Sequence, residues 1–432
     1  YLAEFNFGYN GSENFAKGKR FGFFPSFALG YNISMEPFFE SLLPVISYLK
    51  IRGSYGLVGN DEIGAQRFAY LPSIDLTGTG FTTGINQDYS MSGPVYNRYA
   101  NYDLTWETGK KFNVGFDLHL FKDWKIVADF FQENRSNIFQ QRGTIPTYLG
   151  TANTIVYANT AAVRNQGFDF SVDYGKQLSK DLIVQLKGTF SYAHNKITKY
   201  DEPSDQLYPN LMNVGHPLNT YLGYIAEGLF IDWDEIANRA EQQISGNVAP
   251  GDIKYKDIPD KDGNTDGRIT SSDRVRMGYP TVPEIIYGFG PNIRYKKVDF
   301  GFLFQGAART SMMLSGMHPF GTNTRKNVMK WIADSHWSPD YQNIYADYPR
   351  LTQSDHANNT ATSSFWLRDA SFLKLKNAEI GYTYKNMRFY LSGTNLLTFS
   401  NFKLWDPEMG GGSGLKYPTT RVFNLGFQMT VN

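Results

Sequence analysis

The stretch Val184-Gln185-Leu186-Lys187-Gly188-Thr189-Phe190-Ser191-Tyr192-Ala193-His194 alternates apolar or small residues with polar ones for longer than a strand of a soluble protein usually runs. A β-strand points successive side chains to opposite faces. Val184, Leu186, Phe190 and Tyr192 therefore share one surface, while Gln185, Lys187, Thr189 and Ser191 share the other. The rhythm returns along all 432 residues, and it explains a chain rich in aromatics (33 Phe, 29 Tyr) whose mean hydropathy is nonetheless negative. No apolar run approaches the roughly 18 to 20 residues of a spanning helix, so any membrane span must be made of strands.

The period-two pattern predicts about twelve strands. Ala3, Phe5, Phe7 and Tyr9 alternate with polar or small residues, as do Leu49, Ile51, Tyr55 and Leu57, then Phe112, Val114, Phe116, Leu118 and Leu120. Further strands are expected near 124–138, around Phe168–Tyr174, and over about 182–199, 284–296, 298–309, 371–384, 387–399 and 420–431. The 371–384 stretch changes parity after Leu373 and Leu375, which predicts a bulge or a strand end inside protein. Connections near 122–123, 176–181, 296–298 and 385–387 are short, whereas 59–103, 140–164, 200–283, 310–370 and 400–419 are long. Short turns on one side and long loops on the other mark an all-β, transmembrane antiparallel up-and-down β-barrel, with periplasmic turns and extracellular loops. A soluble sandwich or propeller would not place long insertions so regularly after alternate strands. A net charge of +1 gives no reason to invoke nucleic acid, and the absence of cysteine removes disulfides and thiolate chemistry.

Several segments resemble strand and loop motifs of the SusC/RagA family of TonB-dependent outer-membrane transporters. They include Phe21-Gly22-Phe23-Phe24-Pro25-Ser26-Phe27, Leu49-Lys50-Ile51-Arg52-Gly53-Ser54-Tyr55-Gly56 and Leu104-Thr105-Trp106-Glu107. Asn165-Gln166-Gly167-Phe168, Glu227-Gly228-Leu229-Phe230, Tyr348-Pro349-Arg350-Leu351, Phe372-Leu373-Lys374-Leu375-Lys376-Asn377, Tyr390-Leu391-Ser392-Gly393-Thr394-Asn395-Leu396 and Trp405-Asp406-Pro407-Glu408 continue the series to the end of the chain. The resemblance implies that about twelve strands of a 22-stranded plugged barrel are present here, and that the chain is its C-terminal portion. A twelve-stranded barrel complete in itself is the alternative. The start at Tyr1, already within a strand pattern, predicts that plug and TonB box lie upstream. Asn424, Gly426, Met429 and Val431 follow the spacing of a final outer-membrane strand, with Asn432 where an aromatic is common in the family. The resemblance further implies active import of oligosaccharides, or less readily oligopeptides, with a SusD-like surface lipoprotein as lid, the TonB complex pulling on the plug, and outer-membrane lipid around the wall. It also allows a dimer of transporter–lipoprotein pairs. A passive porin and a surface receptor or adhesin without transport remain the competing classes.

One loop has the spacing of a calcium site. In Asp262-Gly263-Asn264-Thr265-Asp266-Gly267-Arg268-Ile269-Thr270-Ser271-Ser272-Asp273, positions one, three and five offer oxygens from Asp262, Asn264 and Asp266. Gly267 allows the sharp turn, Arg268 offers its carbonyl and Asp273 stands at position twelve. An Asx-rich turn without Ca²⁺ is the alternative. Trp337, Trp366 and Trp405 are candidate substrate contacts, because aromatic faces stack on sugar rings, although packing of loop against loop uses the same residues. Asp232 with Glu235 predicts a capped helix over 232–244, and a second is expected over 325–336. No HExxH pairing, phosphate loop or nucleophile–base arrangement appears, so an enzyme is not expected. The strand carboxylates Asp117, Asp169 and Asp173 suit a polar lumen or the surface of a plug.

Overall fold

The computed structural model describes residues 1–64, 67–145, 154–203, 205–244, 247–317, 320–321, 324–325, 327–353 and 356–431. Twelve strands form one sheet in sequence order. They are β1 (Leu2–Gly11), β2 (Phe21–Asn32), β3 (Ile46–Asn60), β4 (Glu107–Leu120), β5 (Trp124–Gln141) and β6 (Tyr157–Gln177), followed by β7 (Leu182–Lys199), β8 (Ile285–Tyr295), β9 (Val298–Ala308), β10 (Phe372–Tyr384), β11 (Met387–Phe399) and β12 (Val422–Met429). The expected strands are all present, most with ends shifted by a few residues, while the strand expected around Phe168–Tyr174 is far longer, starting at Tyr157. Two compact units make up the chain. The first comprises Tyr1–Phe170, Ala193–Ser204 and Asn213–Gly215; the second comprises Ser171–Tyr192, Asp205–Met212 and His216–Asn432.

In the first unit, Phe5 pairs with Phe27, Phe27 with Tyr55 and Tyr55 with Phe112, so one apolar row runs across four strands. The opposite face carries charge. Arg52 grips Asp129 with two hydrogen bonds of 2.6 Å and lies 3.4 Å from Asp117. Gly115 sits between Arg52 and Asp129 in the register, and a Cβ there would stand 2.4 Å from Asp129 Oδ1. Its missing side chain is what lets the carboxylate cross one strand to its partner. On the long-loop side, Phe15, Ile63, Ala69, Leu104 and Trp106 form a small core, and Trp106 Nε1 donates to the Arg20 carbonyl at 3.0 Å. This accounts for the Leu104-Thr105-Trp106-Glu107 motif as loop packing.

The 59–103 connection differs from expectation by holding a β-hairpin, Ser73–Thr83 against Tyr89–Arg98. Three register breaks interrupt it, and Gly78 faces Gly93. Such a segment lacks the clean alternation that reveals a strand in sequence. The 140–164 connection narrows because β6 begins at Tyr157; residues 146–153 lie outside the described residues.

The second unit carries the Val184–Tyr192 alternation from strand to strand. Val184 pairs with Ile293, Ile293 with Phe300, Phe300 with Ile380, Ile380 with Leu391 and Leu391 with Leu425, one apolar row over six strands. One position away, Gln185, Asn292, Gly301, Glu379, Ser392 and Asn424 make the matching polar row. The predicted parity change in β10 is a bulge at Lys376. Both neighbouring strands skip that residue, pairing Leu375 and then Asn377. The extra residue moves the apolar positions from Leu373 and Leu375 to Ala378, Ile380 and Tyr382 while the row stays on one face. Arg388, Asp299 and Glu379 form an ion cluster on the polar face, with Arg388 donating to Glu379 at 2.6 Å. Two-residue turns at Lys296–Lys297 and Lys385–Asn386 put their first residue at φ 54° and 55°, a backbone hand that follows the strand twist.

Phe302, in the middle of β9, stands on the apolar face that the sequence assigns to lipid. Phe302→Arg is expected to destabilise the membrane-folded protein by about 2–4 kcal/mol, as charge does near the middle of a barrel's lipid face. Ser392→Arg on the polar face is expected to stay within about 0.5 kcal/mol of the parent. Denaturant unfolding of the whole protein in lipid vesicles measures both.

Candidate functional site

The long loops of the second unit build the larger of the two hydrophobic cores among the described residues. Leu229, Ile253, Tyr255, Ile269, Leu314 and Ile332 are fully buried there, with Trp337, Tyr348 and Trp366 packed among them. Short strand pairs tie the loops to one another. Ala226–Leu229 pairs with Ile253–Tyr255, Tyr221–Gly223 with Val275–Met277, and Ser311–Met313 with Leu367–Asp369. These loops are a folded layer rather than free connections.

A polar knot sits inside that core. Asp252 has no solvent exposure, and Arg350 holds it through Nε at 2.6 Å and a terminal nitrogen at 3.0 Å. The same carboxylate accepts from Asn359 Nδ2 at 2.7 Å and from the Ala249 N–H at 2.8 Å. Gln242 donates to Asn358 at 2.6 Å, and the Tyr255 hydroxyl donates to the Asn358 carbonyl at 2.6 Å. Burial pushes the Tyr255 hydroxyl above the ordinary phenol range. Gly251, at φ 85°, lies under Trp337, whose ring would stand 2.2 Å from a Cβ at that position. The motifs around Leu229 and Arg350 thus serve one buried junction. A paired buried charge of this kind fixes one arrangement of loops, since removing either partner strands the other.

The second fastening joins two motifs that stand apart in sequence. Lys374, wholly buried, donates to Asp406 at 2.6 Å and also to Glu408, while Lys376 reaches Glu408 at 2.9 Å. Thr419 donates to Asp406 as well. Burial alone would raise the Asp406 and Glu408 carboxyls, but the Lys374 ammonium, helped by Thr419 at Asp406 and Lys376 at Glu408, holds both below the usual carboxylate range. The 400–421 loop is thereby strapped onto the end of β10. Gly412 also exchanges backbone hydrogen bonds with Met313 and Ser315.

Trp337 and Trp366 lie in the buried core, and Trp366 Nε1 donates to the Asn359 carbonyl at 2.7 Å. Trp405 is half-buried and donates to the Gly410 carbonyl at 3.0 Å. It borders a cleft of about 570 Å³ with Asn395, Thr398, Lys416, Thr419 and Arg421. Lys416 is fixed there by the carbonyls of Met409 and Gly411, at 2.9 and 3.1 Å. An aromatic edge beside fixed cations and amide oxygens can hold a polar, hydroxylated or anionic group. The predicted 232–244 helix is one short turn, Trp233–Ala237. Asp232 caps Glu235 N–H as expected at 2.8 Å, but Glu241–Gln242 leave the helix to pair with Arg268–Ile269. The second helix is Lys330–Asp334, and residue 326 of its expected span lies outside the described residues.

The predicted calcium loop is exposed from Asp262 to Arg268 and buried at Ile269 and Asp273. Asp273 is buried and already committed, accepting the Ile258 N–H at 2.9 Å and the Thr270 N–H at 2.7 Å. Asp266 accepts the Arg268 N–H at 2.9 Å, and Arg268 lies in the short strand beside Glu241. The backbones of Asp262 and Asn264 both donate to Asp260, at 2.9 Å each, so Asp260 organises the turn. Among the described residues no three His, Asp or Glu side chains form a metal-ligand group. Asp257, which the spacing rule overlooks, is the unusual acid. Its Oδ1 is buried without a partner, and burial, with the charges of Asp273 and Asp266, raises its carboxyl above the ordinary range. A hard cation would relieve that excess of negative charge.

A family model described as TonB dependent receptor-like, beta-barrel, matches residues 4–396. TonB-dependent receptor P3 of Formosa agariphila is 26% identical to this chain, over 99% of it and 44% of its own length. TonB-dependent receptor SusC of Bacteroides thetaiotaomicron is also 26% identical, over 99% of the chain and 42% of its own length. The structure of the RagAB peptide transporter superposes with a TM-score of 0.72 at 23% identity, covering 99% of this chain and 45% of that one, a likeness of fold. The chain thus spans less than half the length of these relatives.

Lys374→Met is expected to cost about 3 kcal/mol, because two carboxylates lose their buried partner. The folded carboxyls lie below their unfolded values, so the strap stabilises above the ordinary carboxylate range near pH 4 and weakens as pH falls through it. Thermal melts across pH, with parent and variant compared, should show the acid-dependent loss in the parent and a smaller one in the variant.

Proposed function

Because this chain belongs to the TonB-dependent receptor-like β-barrel family, a family of transporters and receptors rather than enzymes, we propose that its sheet forms about half the wall of an outer-membrane importer for oligomeric nutrients. The observation that carries the reading is the pair of unbroken rows, apolar through Val184, Ile293, Phe300, Ile380, Leu391 and Leu425 and polar through Gln185, Asn292, Glu379, Ser392 and Asn424. The apolar face meets outer-membrane lipid. In this proposal the polar face lines the interior against a plug supplied by the rest of the protein, on which the TonB complex pulls.

The folded loop layer, knotted at Asp252–Arg350 and strapped at Lys374, suits a fixed platform on which a SusD-like surface lipoprotein seats as a lid, and two such pairs associate as a dimer. Oligosaccharides are the favoured cargo, supported by the Trp405 cleft with its polar lining, and oligopeptides are the second choice. Deleting the whole gene should abolish growth on, and uptake of, at least one labelled oligosaccharide, and affinity purification of the protein should bring down a lipoprotein. Unchanged growth on every oligomer the parent strain uses would refute the import reading.

Ca²⁺ is the proposed ligand of the Asp257–Asp273 loop, supported by the spacing of Asp262, Asn264, Asp266, the Arg268 carbonyl and Asp273 and by the partnerless Oδ1 of Asp257, whose Oδ2 accepts the Gly267 N–H. Calorimetry of the whole protein should give a calcium-binding heat that Asp266→Asn reduces at least tenfold in affinity. No heat in the parent protein would remove calcium from the account.

A further inference from the structure

We infer that the turn over residues 33–45 is an interfacial anchor that dips into the phospholipid leaflet on the short-turn side of the membrane. It joins β2 to β3, and it breaks the rule of that side, where β4–β5, β8–β9 and β10–β11 are joined by two or three residues. Instead of a tight polar turn it holds two 3₁₀ segments, Ile33–Met35 and Pro37–Leu42.

Its side chains divide by face. Phe39 is 4% exposed, while Met35 and Phe38 are 80% and 69% exposed, with Leu42 and Val45 also open. Neighbouring Phe121, on the β4–β5 turn, is exposed too, and its N–H donates to the Val45 carbonyl at 2.8 Å. A cluster of large apolar side chains is thus held on the outside of two linked turns.

Continuity decides what covers it. Tyr31, at the end of β2, pairs with Ile51 and belongs to the apolar row of the lipid face. At the start of β3, a register shift pairs Ile46 with Leu120, and Leu49 with Leu118, on that same face. Met35, Phe38, Leu42, Val45 and Phe121 therefore lie just past the ends of that lipid-facing row, interspersed with the half-buried Asn32, Ser34 and Glu36. The lipid boundary of the proposed outer-membrane barrel, the reading on which this inference rests, covers that row and is the partner nearest to the turn.

The backbone is prepared for such a site. Glu36 N–H donates to Ile33 carbonyl at 3.1 Å, Phe39 to Glu36 at 3.0 Å, Leu43 to Glu40 at 3.3 Å and Val45 to Leu42 at 3.0 Å. Ser34 closes onto Asn32 at 2.7 Å. A segment that enters the acyl boundary must satisfy its amides internally, and this one largely does. The depth is that of an interfacial helix, about 5–10 Å below the headgroups, which leaves Glu36 and Glu40 at headgroup level.

The chain contains no cysteine, so Phe38→Cys, on a cysteine-free background of the whole protein, gives one thiol for an environment-sensitive bimane probe. The protein is placed in phosphatidylethanolamine–phosphatidylglycerol vesicles, with Tyr417→Cys, on an exposed loop, as the aqueous reference. At position 38 we expect blue-shifted emission, at least twofold stronger quenching by lipids brominated near the headgroup than at position 417, and protection from aqueous iodide. Leu42→Cys should behave alike. Water-like emission with iodide quenching at both positions would overturn the assignment, as would protection from both iodide and brominated lipid, which is the mark of a protein contact.

Discussion

Everything in this chain follows from the need to satisfy backbone N–H and C=O groups where no water can reach them. Each inner strand of the sheet meets that need by pairing with the sheet strand before it and the one after it, so the sheet runs in order from β1 to β12. Pairing fixes register, and register fixes faces. One step along a strand exchanges lipid for polar surroundings, which is why a single extra residue at Lys376 is enough to keep the apolar row continuous through β10.

A sheet with lipid on one face and polar surroundings on the other cannot supply a conventional hydrophobic core. The core of the second unit lies instead in its loops, where Tyr255, Trp337, Tyr348 and Trp366 are packed around the Asp252–Arg350 pair. The charged fastenings compensate for what long loops lack in regular hydrogen bonding. Asp252 is held by an arginine, an asparagine and a backbone amide; Asp406 and Glu408 are held by one buried lysine between them. At each of these places, removing one partner leaves the opposite charge buried alone.

The strands were legible because alternation is a local code. Val184 to Tyr192, the parity change near Leu375 and the capping of Glu235 by Asp232 could all be read from neighbours in sequence, and each is present. The hairpin of 73–98 was not, since glycines and register breaks erase the alternation. Nor was the length of the 232–244 helix, because the pull on Glu241 and Gln242 comes from Arg268 and Ile269, residues far along the chain.

The sequence alone determined the twelve strands of the main sheet and the two faces of that sheet, because a strand's side-chain period needs only its own residues. Tertiary structure decided which motifs meet. That Lys374 clamps Asp406 and Glu408, that Arg350 answers Asp252, that Trp337 and Trp366 are core while Trp405 borders a cleft, and that Asp257 keeps one buried oxygen without a partner beside the calcium-like spacing all depend on contacts between distant segments. No local period encodes such pairings; they exist only once loop closure has brought their partners within a few ångströms.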